Sequence, residues 1–244
     1  MTVDVIWLSG TGYGAQPDGV SAAFAAALPD GFRFVPVRYP ASYIHPISYA
    51  ESRKDGRSAL IDAMCATEHR VVIGGYSQGA GIAGGLAAEI GRGELTGLRR
   101  QLLACALIAD PERPRGAGMP GRPVASGYGI SGQRFITDIP VWWAAVEGDP
   151  ITALPAGNPL RFIADVTEYM TLSDPVSAHR WGEDLLRRAV EGRWQRWWSP
   201  ANWKSWGGAI AYARGYLVDG RHTADYVLYG HAAHLARIVA EEVR

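Results

Sequence analysis

Five short apolar runs, each followed by a loop or a helical segment, constrain the fold of this chain more than any other feature. They predict strands over 3–8, 32–37, 70–76, 102–109 and 141–146. Because the runs are apolar throughout rather than alternating, they are typical of parallel strands covered on both faces. Segments with helical spacing, which would supply the covering layers, lie at 19–28, 55–66, 78–90 and 226–243. The sequence therefore predicts an α/β fold with a central parallel five-stranded sheet and helices on both faces.

Composition and charge limit the classes of function. The 244 residues are 48% apolar and 20% charged, which is ordinary for a globular chain with its own core. Lys and Arg together number 24 and so do Asp and Glu, and this balance argues against non-specific nucleic-acid binding, which requires a basic surface. Cys65 and Cys105 lie in apolar stretches and are predicted to be buried, inert thiols. No Cys/His spacing is typical of a zinc site, and we expect neither a metal nor a cofactor.

The region 151–215 interrupts the alternation of strands and helices. It is predicted to be a helical, tryptophan-rich insert between a core over 1–150 and a last part over 216–244 that carries the C-terminal helix. A second irregular stretch, 39–52, is predicted as loop. The N-terminus lacks the features of a signal peptide, and no stretch has the roughly 18 apolar residues of a membrane span, so we expect synthesis in a cytoplasm.

The pentapeptide Gly75-Tyr76-Ser77-Gln78-Gly79 directly follows a β-branched run and directly precedes a helical segment. A strained turn between strand and helix lifts a serine hydroxyl clear of the sheet, and its glycines avoid a Cβ where the backbone is crowded. The motif alone is common, but this context favours a nucleophile elbow over a glycine-rich turn with an incidental serine. Ser77 is therefore the candidate nucleophile.

A nucleophilic serine needs a histidine base, and the histidine needs an acid, in the chain order Ser, Asp or Glu, His. Asp149 follows the fifth predicted strand and is favoured over Asp110, which follows the fourth and has the surroundings of a turn or cap residue. His222 lies in a loop before the last helix, from which its ring can reach the serine. The remaining alternatives are His179 in the insert and two histidines within the last helix, His231 and His234.

An oxyanion hole requires two donors close to the serine. The backbone N–H of Gln78, directly after the nucleophile, is one candidate, because it also lies at the positive end of the following helix. The loop Ser9-Gly10-Thr11-Gly12, after the first predicted strand, is the expected source of the other, at Thr11. A plain glycine turn is the alternative for that loop.

These residues resemble the lysin B family of actinobacteriophages, which is related to the cutinases. The resemblance extends over nearly the whole chain and rests on Gly10-Thr11-Gly12, Gly75-Tyr76-Ser77-Gln78-Gly79, Pro140-Val141-Trp142-Trp143 with Gly148-Asp149, and His222-Thr223-Ala224-Asp225-Tyr226. It departs from the family at Ser9, where many members carry histidine, and at Pro150. The resemblance implies a cutinase-like α/β-hydrolase with a helical insert before the catalytic histidine.

The resemblance also implies an activity: hydrolysis of the ester that joins mycolic acids to cell-wall arabinogalactan in the host outer envelope, at the end of phage infection. The protein would then be made in the host cytoplasm, act at the envelope after release, contact outer-membrane lipid and work as a monomer. The insert's tryptophans would either bind the acyl chain or form the insert's own small core. The alternatives are a cutinase-like esterase of other lipids or polyesters, and a non-catalytic wall-binding protein with this fold.

Overall fold

The computed structural model describes residues 2–168, 170, 183, 191 and 220–243. Within them the chain forms strands and helices in an alternating order. These are β1 Val3–Leu8, α1 Gly19–Ala26, β2 Phe32–Pro36, α2 Tyr49–Cys65, β3 Arg70–Tyr76, α3 Gln78–Gly91, α4 Thr96–Arg99, β4 Leu102–Ile108, β5 Val141–Ala144, α5 Leu160–Thr167, α6 Ala224–Leu228 and α7 His231–Glu242.

The strands form a single parallel sheet in the order β2-β1-β3-β4-β5, which confirms the predicted architecture. The chain steps from β1 to β2 at one edge and then returns past β1 to build the other half of the sheet. Leu8 pairs with Gly75, so the loop after β1 lies beside the turn after β3. The reversal of strand order between β1 and β3 is where open α/β sheets place their ligands, outside the carboxyl ends of the strands.

Alternate side chains of β1 belong to two separate cores, one on each face of the sheet. Val5 and Trp7 pack with residues of α1 and α7, whereas Ile6 and Leu8 pack with residues of α2 and α3. This follows from the two-residue period of a strand, and it requires an uninterrupted apolar run because both faces are covered. The two layers of helices hold the strand ends, and hence the loops after them, in fixed positions.

The structure corrects the predicted course of α2 and of the last helix. α2 begins at Tyr49, inside the predicted loop 39–52, because Ser48 and Glu51 form a capping box: each side chain accepts from the other residue's backbone N–H. The last predicted helix is two helices, α6 and α7, separated at Gly230, which adopts the left-handed conformation with φ of 67°. That break lets the chain turn between the loop before α6 and the sheet-covering helix α7.

The two cysteines differ, and the prediction that both are buried is wrong for Cys65. Cys65 is the last residue of α2 and is exposed, while its neighbour Met64 faces the core. Cys105 is buried in β4 as predicted, and burial raises the pKa of its thiol. Of the predicted insert 151–215, the described part includes α5; His179 and the tryptophans from Trp181 onward lie outside the described residues. Among the described helices, none combines the length and the apolar character needed to cross a membrane.

Candidate active site

Ser77 occupies the turn between β3 and α3 in a strained backbone conformation. Its φ is 56° and its ψ is −118°, which is outside the regions that a residue with a side chain ordinarily adopts. Such a conformation costs about 1–3 kcal/mol and persists only where the surroundings enforce it. Here the N–H of Ser77 donates to the carbonyl of Ile108 at 2.9 Å, which ties the turn to the end of β4.

The glycines on either side of Ser77 are required by close backbone approach. A Cβ on Gly75 would lie 2.4 Å from the carbonyl carbon of Gly79, and one on Gly79 would lie 2.1 Å from the carbonyl oxygen of Leu8. Both contacts are with backbone, which cannot move aside without separating β3, α3 and β1. The pentapeptide therefore has the tight packing that the sequence motif predicts for a nucleophile elbow.

Three side chains from distant parts of the chain meet at this turn. The Oγ of Ser77 lies 2.9 Å from Nε2 of His222, and Nδ1 of His222 lies 3.1 Å from both carboxylate oxygens of Asp149. Ser77 is partly accessible, His222 is 5% exposed and Asp149 is fully buried. This arrangement can pass the hydroxyl proton to the imidazole, while the carboxylate fixes the ring tautomer and stabilises its positive charge.

Asp149 lies in the loop after β5 and is held by two further donors. The N–H of Ile151 donates to Oδ1 at 2.9 Å, and the hydroxyl of Tyr226 donates to Oδ2 at 2.6 Å. The Tyr226 hydroxyl itself accepts from the N–H of Val146. Burial, followed by the charge of Asp149, raises the pKa of Tyr226 far above its ordinary value, so the hydroxyl keeps its proton and remains a donor.

Tyr226 was not singled out by the sequence analysis, although it is part of the site. It stands four residues after His222 in the short helix α6, where a tyrosine is ordinarily a core residue. The available signal was its place in the segment His222-Thr223-Ala224-Asp225-Tyr226, but nothing local indicates that its hydroxyl reaches a carboxylate from another loop.

The residue before the serine positions the histidine. Tyr76 donates from its hydroxyl to the backbone carbonyl of His222 at 2.5 Å, and the two rings stack with centroids 5.2 Å apart. Because Tyr76 is fixed at the end of β3, the histidine loop is anchored to the same strand that carries Ser77. The imidazole is thus aligned from both its backbone and its ring face.

The alternative acid and bases lie elsewhere. Asp110 is fully buried and accepts from Arg134 and from the indole N–H of Trp143, 2.6 and 2.9 Å away, and its bonds do not involve His222. His231 contacts the ring of Tyr226, and His234 bonds to the carbonyl of Pro120. His179 lies outside the described residues. The structure thus brings Ser77 together with Asp149 and His222, the two partners favoured from the sequence.

Both residues predicted for the oxyanion hole lie beside Ser77. Gln78 is the first residue of α3, so its backbone N–H has no carbonyl one turn earlier in the helix to bond. Thr11 lies in the loop after β1, and its hydroxyl donates to Oε1 of Gln78 at 3.4 Å. The Gln78 side chain also donates to the carbonyl of Ser42 at 2.9 Å, which ties the loop before α2 to the elbow.

Within the described part of the chain, two cavities open onto Ser77. The first has a volume of 440 Å³ and the second 450 Å³, and both are lined by Thr11 and Ser77. Other residues of the first include Tyr43, Tyr49, Ile130, Ile151, Leu160 and Ala164. Other residues of the second include Tyr13, Val20, Tyr76, His222, Thr223 and Val227. In the described part of the chain, no cluster of His, Cys, Asp or Glu side chains has an arrangement that could hold a metal ion.

Comparison with solved structures finds proteins that align with this chain. Lysin B from Mycobacteriophage D29 superposes with a TM-score of 0.65 over 96% of this chain and 99% of that protein, at 18% identity. An acetyl xylan esterase aligns over 76% of this chain and 95% of its own at 17% identity, with a TM-score of 0.47. A cutinase-like protein from Cryptococcus sp. aligns over 75% and 91% at 18% identity, with a TM-score of 0.44.

No family model matches the sequence, and neither does any curated protein. At 18% identity, the likeness to the phage lysin establishes a shared fold across nearly the whole chain. The α/β-hydrolase fold implied by the resemblance, with the parallel five-stranded sheet predicted from the apolar runs, is therefore confirmed.

Proposed function

We propose that this protein is a serine ester hydrolase that acts through Ser77, His222 and Asp149. The observation that carries the proposal is the unbroken set of hydrogen bonds from the Ser77 hydroxyl through the His222 ring to the Asp149 carboxylate, on a strained elbow. A structural serine does not require a strained backbone with positive φ, a histidine at 2.9 Å and a buried carboxylate behind it. Three such features in one place are those of an activated nucleophile.

The chemistry follows from the positions of these groups. Ser77 attacks the ester carbonyl while Nε2 of His222 takes its proton, and the resulting imidazolium is stabilised by Asp149. The carbonyl oxygen becomes negative and accepts from the backbone N–H groups of Gln78 and Thr11. His222 then donates its proton to the departing alcohol, which leaves an acyl group on Ser77. A water molecule releases this acyl group, with His222 again removing the proton.

For the substrate, we propose the ester between mycolic acids and arabinogalactan, with the protein acting at the bacterial envelope during lysis after synthesis in the host cytoplasm. The support is the four-motif resemblance to the lysin B family, a fold shared with a phage lysin B over 96% of the chain, and the apolar wall of the first cavity. A long, branched fatty acyl group requires a carbon-rich surface beside the nucleophile. Esterases of other lipids share this requirement, so the substrate is decided by experiment.

The decisive experiment compares the wild type with Ser77→Ala on purified mycolyl-arabinogalactan wall, with mass spectrometry of released lipids. We expect free mycolic acids from the wild type alone, and Ser77→Ala to retain about one-thousandth or less of the activity on p-nitrophenyl butyrate. Labelling by a fluorophosphonate, on Ser77 only, checks the nucleophile independently of substrate.

Two other outcomes would distinguish an error in the proposed substrate from an error in the proposed chemistry. Ser77-dependent hydrolysis of short esters without release of mycolic acids would keep the serine hydrolase and refute the wall substrate. No fluorophosphonate adduct and no ester hydrolysis by the folded wild type would favour a non-catalytic wall-binding protein.

A further inference from the structure

The two cavities that meet at Ser77 share part of the site but not all of it. Gln78, one of the two oxyanion residues, lines the first cavity, whereas His222 lines the second. Thr11 and Ser77 lie at the boundary and line both. His222 therefore lies on one side of the nucleophile and Gln78 on the other.

This asymmetry determines where each half of an ester can lie. When the tetrahedral intermediate collapses, the departing oxygen must take the proton held on Nε2 of His222, so the alcohol must leave on the histidine side. The carbonyl oxygen is directed at the N–H groups of Gln78 and Thr11. The acyl carbon chain has to extend in the remaining direction, away from His222 and into the first cavity.

The chemistry of the walls agrees with this division. Among the described residues, the first cavity is lined mainly by aliphatic and aromatic side chains; its polar side chains are Ser131 and Glu168, apart from two tyrosines and the residues at the nucleophile. Its volume of 440 Å³ is in the range of pockets that enclose an entire small ligand. An aliphatic chain gains free energy roughly in proportion to the apolar area it buries there.

Among the described residues, the wall of the second cavity has fewer aliphatic side chains than that of the first. It includes the hydroxyl of Thr223 and the exposed ring of Tyr13, which is 53% accessible. Asp18 is also present, but its carboxylate already accepts from the N–H groups of Gly10, Val20 and Ser21, so it stiffens the wall. A polar alcohol with several hydroxyls and an apolar ring face, as a sugar has, fits such a surface.

We propose that the first cavity holds the acyl chain and that the second cavity holds a bulky polar alcohol such as a sugar. This division rests on the proposed esterase function and adds to it the side on which each product lies. The tryptophan-rich insert is not needed for the assignment, because the described residues of the first cavity already provide an apolar wall next to Ser77.

The test uses one bulky substitution in each cavity and a matched control. Ala164→Trp fills part of the first cavity, Val227→Trp narrows the second, and Ala66→Trp adds the same ring at an exposed site at the end of α2. Two selectivity ratios of kcat/KM are measured: p-nitrophenyl palmitate over butyrate, which reports acyl length, and a sugar palmitate over methyl palmitate, which reports the alcohol.

We expect Ala164→Trp to lower the acyl-length ratio by about tenfold and leave the alcohol ratio near that of the wild type. Val227→Trp is expected to lower the alcohol ratio by a similar factor and leave the acyl-length ratio, and Ala66→Trp to change neither. Thermal unfolding checks that each variant is folded; if Ala164→Trp is not, Ala164→Phe replaces it.

The assignment would be overturned if Ala164→Trp lowered the alcohol ratio and Val227→Trp lowered the acyl-length ratio. It would also be overturned if both variants were folded and changed neither ratio. Both results leave the esterase proposal intact as long as activity requires Ser77. A wild type that hydrolyses none of these esters would refute the proposed function and this division with it.

Discussion

Asp110 and Asp149 have nearly the same surroundings, but each also bonds to a residue that the other does not contact. Each follows a strand of the sheet, each is fully buried, and each accepts from the backbone N–H two residues later. Each also accepts from a buried aromatic side chain: Asp110 from the indole of Trp143 and Asp149 from the hydroxyl of Tyr226. The third partner is Arg134 for Asp110 and His222 for Asp149.

The third partner decides what a buried carboxylate can do. Arginine is always charged, so Asp110 faces a permanent cation, and Arg134 also bonds to Glu112 and to the carbonyl of Gly81. In the proposed reaction the His222 ring takes up a proton and then gives it away, so Asp149 would face a charge that is present only in part of the cycle. The comparison teaches that strand-end position and burial do not identify a catalytic acid, whereas the titratable partner does.

The largest expected effect is on kcat, when the carboxylates of Asp149 and Asp110 are neutralised one at a time. We expect Asp149→Asn to lower kcat about 10⁴-fold, because the amide no longer stabilises the imidazolium and selects the wrong ring tautomer. Asp110→Asn should keep at least about a tenth of wild-type kcat per folded molecule. Asp110 does not bond to His222, so its loss can affect the reaction only by changing the surrounding packing. Both are measured with p-nitrophenyl butyrate after active-site titration. Equal losses of kcat in the two variants would show that Asp149 and Asp110 do not differ in role.

The next effect concerns stability. Arg134→Met leaves Asp110 buried without its cation, and we expect a loss of about 3 kcal/mol in the free energy of unfolding at pH 7. Glu112 is less affected because Arg53 still pairs with it, at 3.1 Å. Urea denaturation measures the loss, with Arg92→Met as control: the Arg92–Glu94 pair is exposed, and its removal should cost about 1 kcal/mol or less. A loss for Arg134→Met no greater than that of the control would contradict a structural role for the Asp110 pair.

The pH dependence of the free energy of unfolding provides a second test of the Asp110–Arg134 pair. Burial raises the pKa of Asp110 in the folded protein, and Arg134 opposes that rise. Burial also acts on Glu112, but Arg53 and Arg134 outweigh it and lower the pKa of Glu112. Without Arg134 both native pKa values move upward, so the folded variant takes up protons at a higher pH than the wild type does. The stability gap between them should therefore narrow as the pH falls from 7 towards 5, whereas a constant gap would exclude this ionic cause.

Sequence reasoning succeeded where the determining interactions are local. The apolar runs lie within single strands, and the elbow glycines are needed by contacts within one turn, so both could be recognised from short segments. Chain order and loop position then favoured Asp149 and His222, which the structure places at Ser77. The capping box of Ser48 and Glu51 is equally local, and the start of α2 could have been predicted from it.

The remaining features depend on contacts between distant segments. Tyr226 lies 77 residues from Asp149, and Arg134 lies 24 residues from Asp110. Neither spacing has a local signature, because each pair meets only once the sheet has brought two loops together. Cys65 was mispredicted as buried because its neighbours in sequence are apolar. Those neighbours do not determine which face of a helix a residue occupies, and in α2 the buried face carries Met64 instead.

The smallest effect tests the aromatic donor on the catalytic side of the comparison. Tyr226→Phe removes the 2.6 Å hydrogen bond to Asp149 and should lower kcat by about tenfold, because a bond to a charged acceptor contributes roughly 1.5–3 kcal/mol. The loss should appear in kcat and not in KM, measured with p-nitrophenyl butyrate, because the remaining donors hold the Asp149 carboxylate less firmly against Nδ1 of His222. Trp143→Phe is the matched control: it removes the corresponding aromatic donor from Asp110 and should lower the unfolding midpoint while leaving kcat near the wild-type value. A Tyr226→Phe kcat near the wild-type value would make Tyr226 a packing residue, comparable to Trp143 beside Asp110.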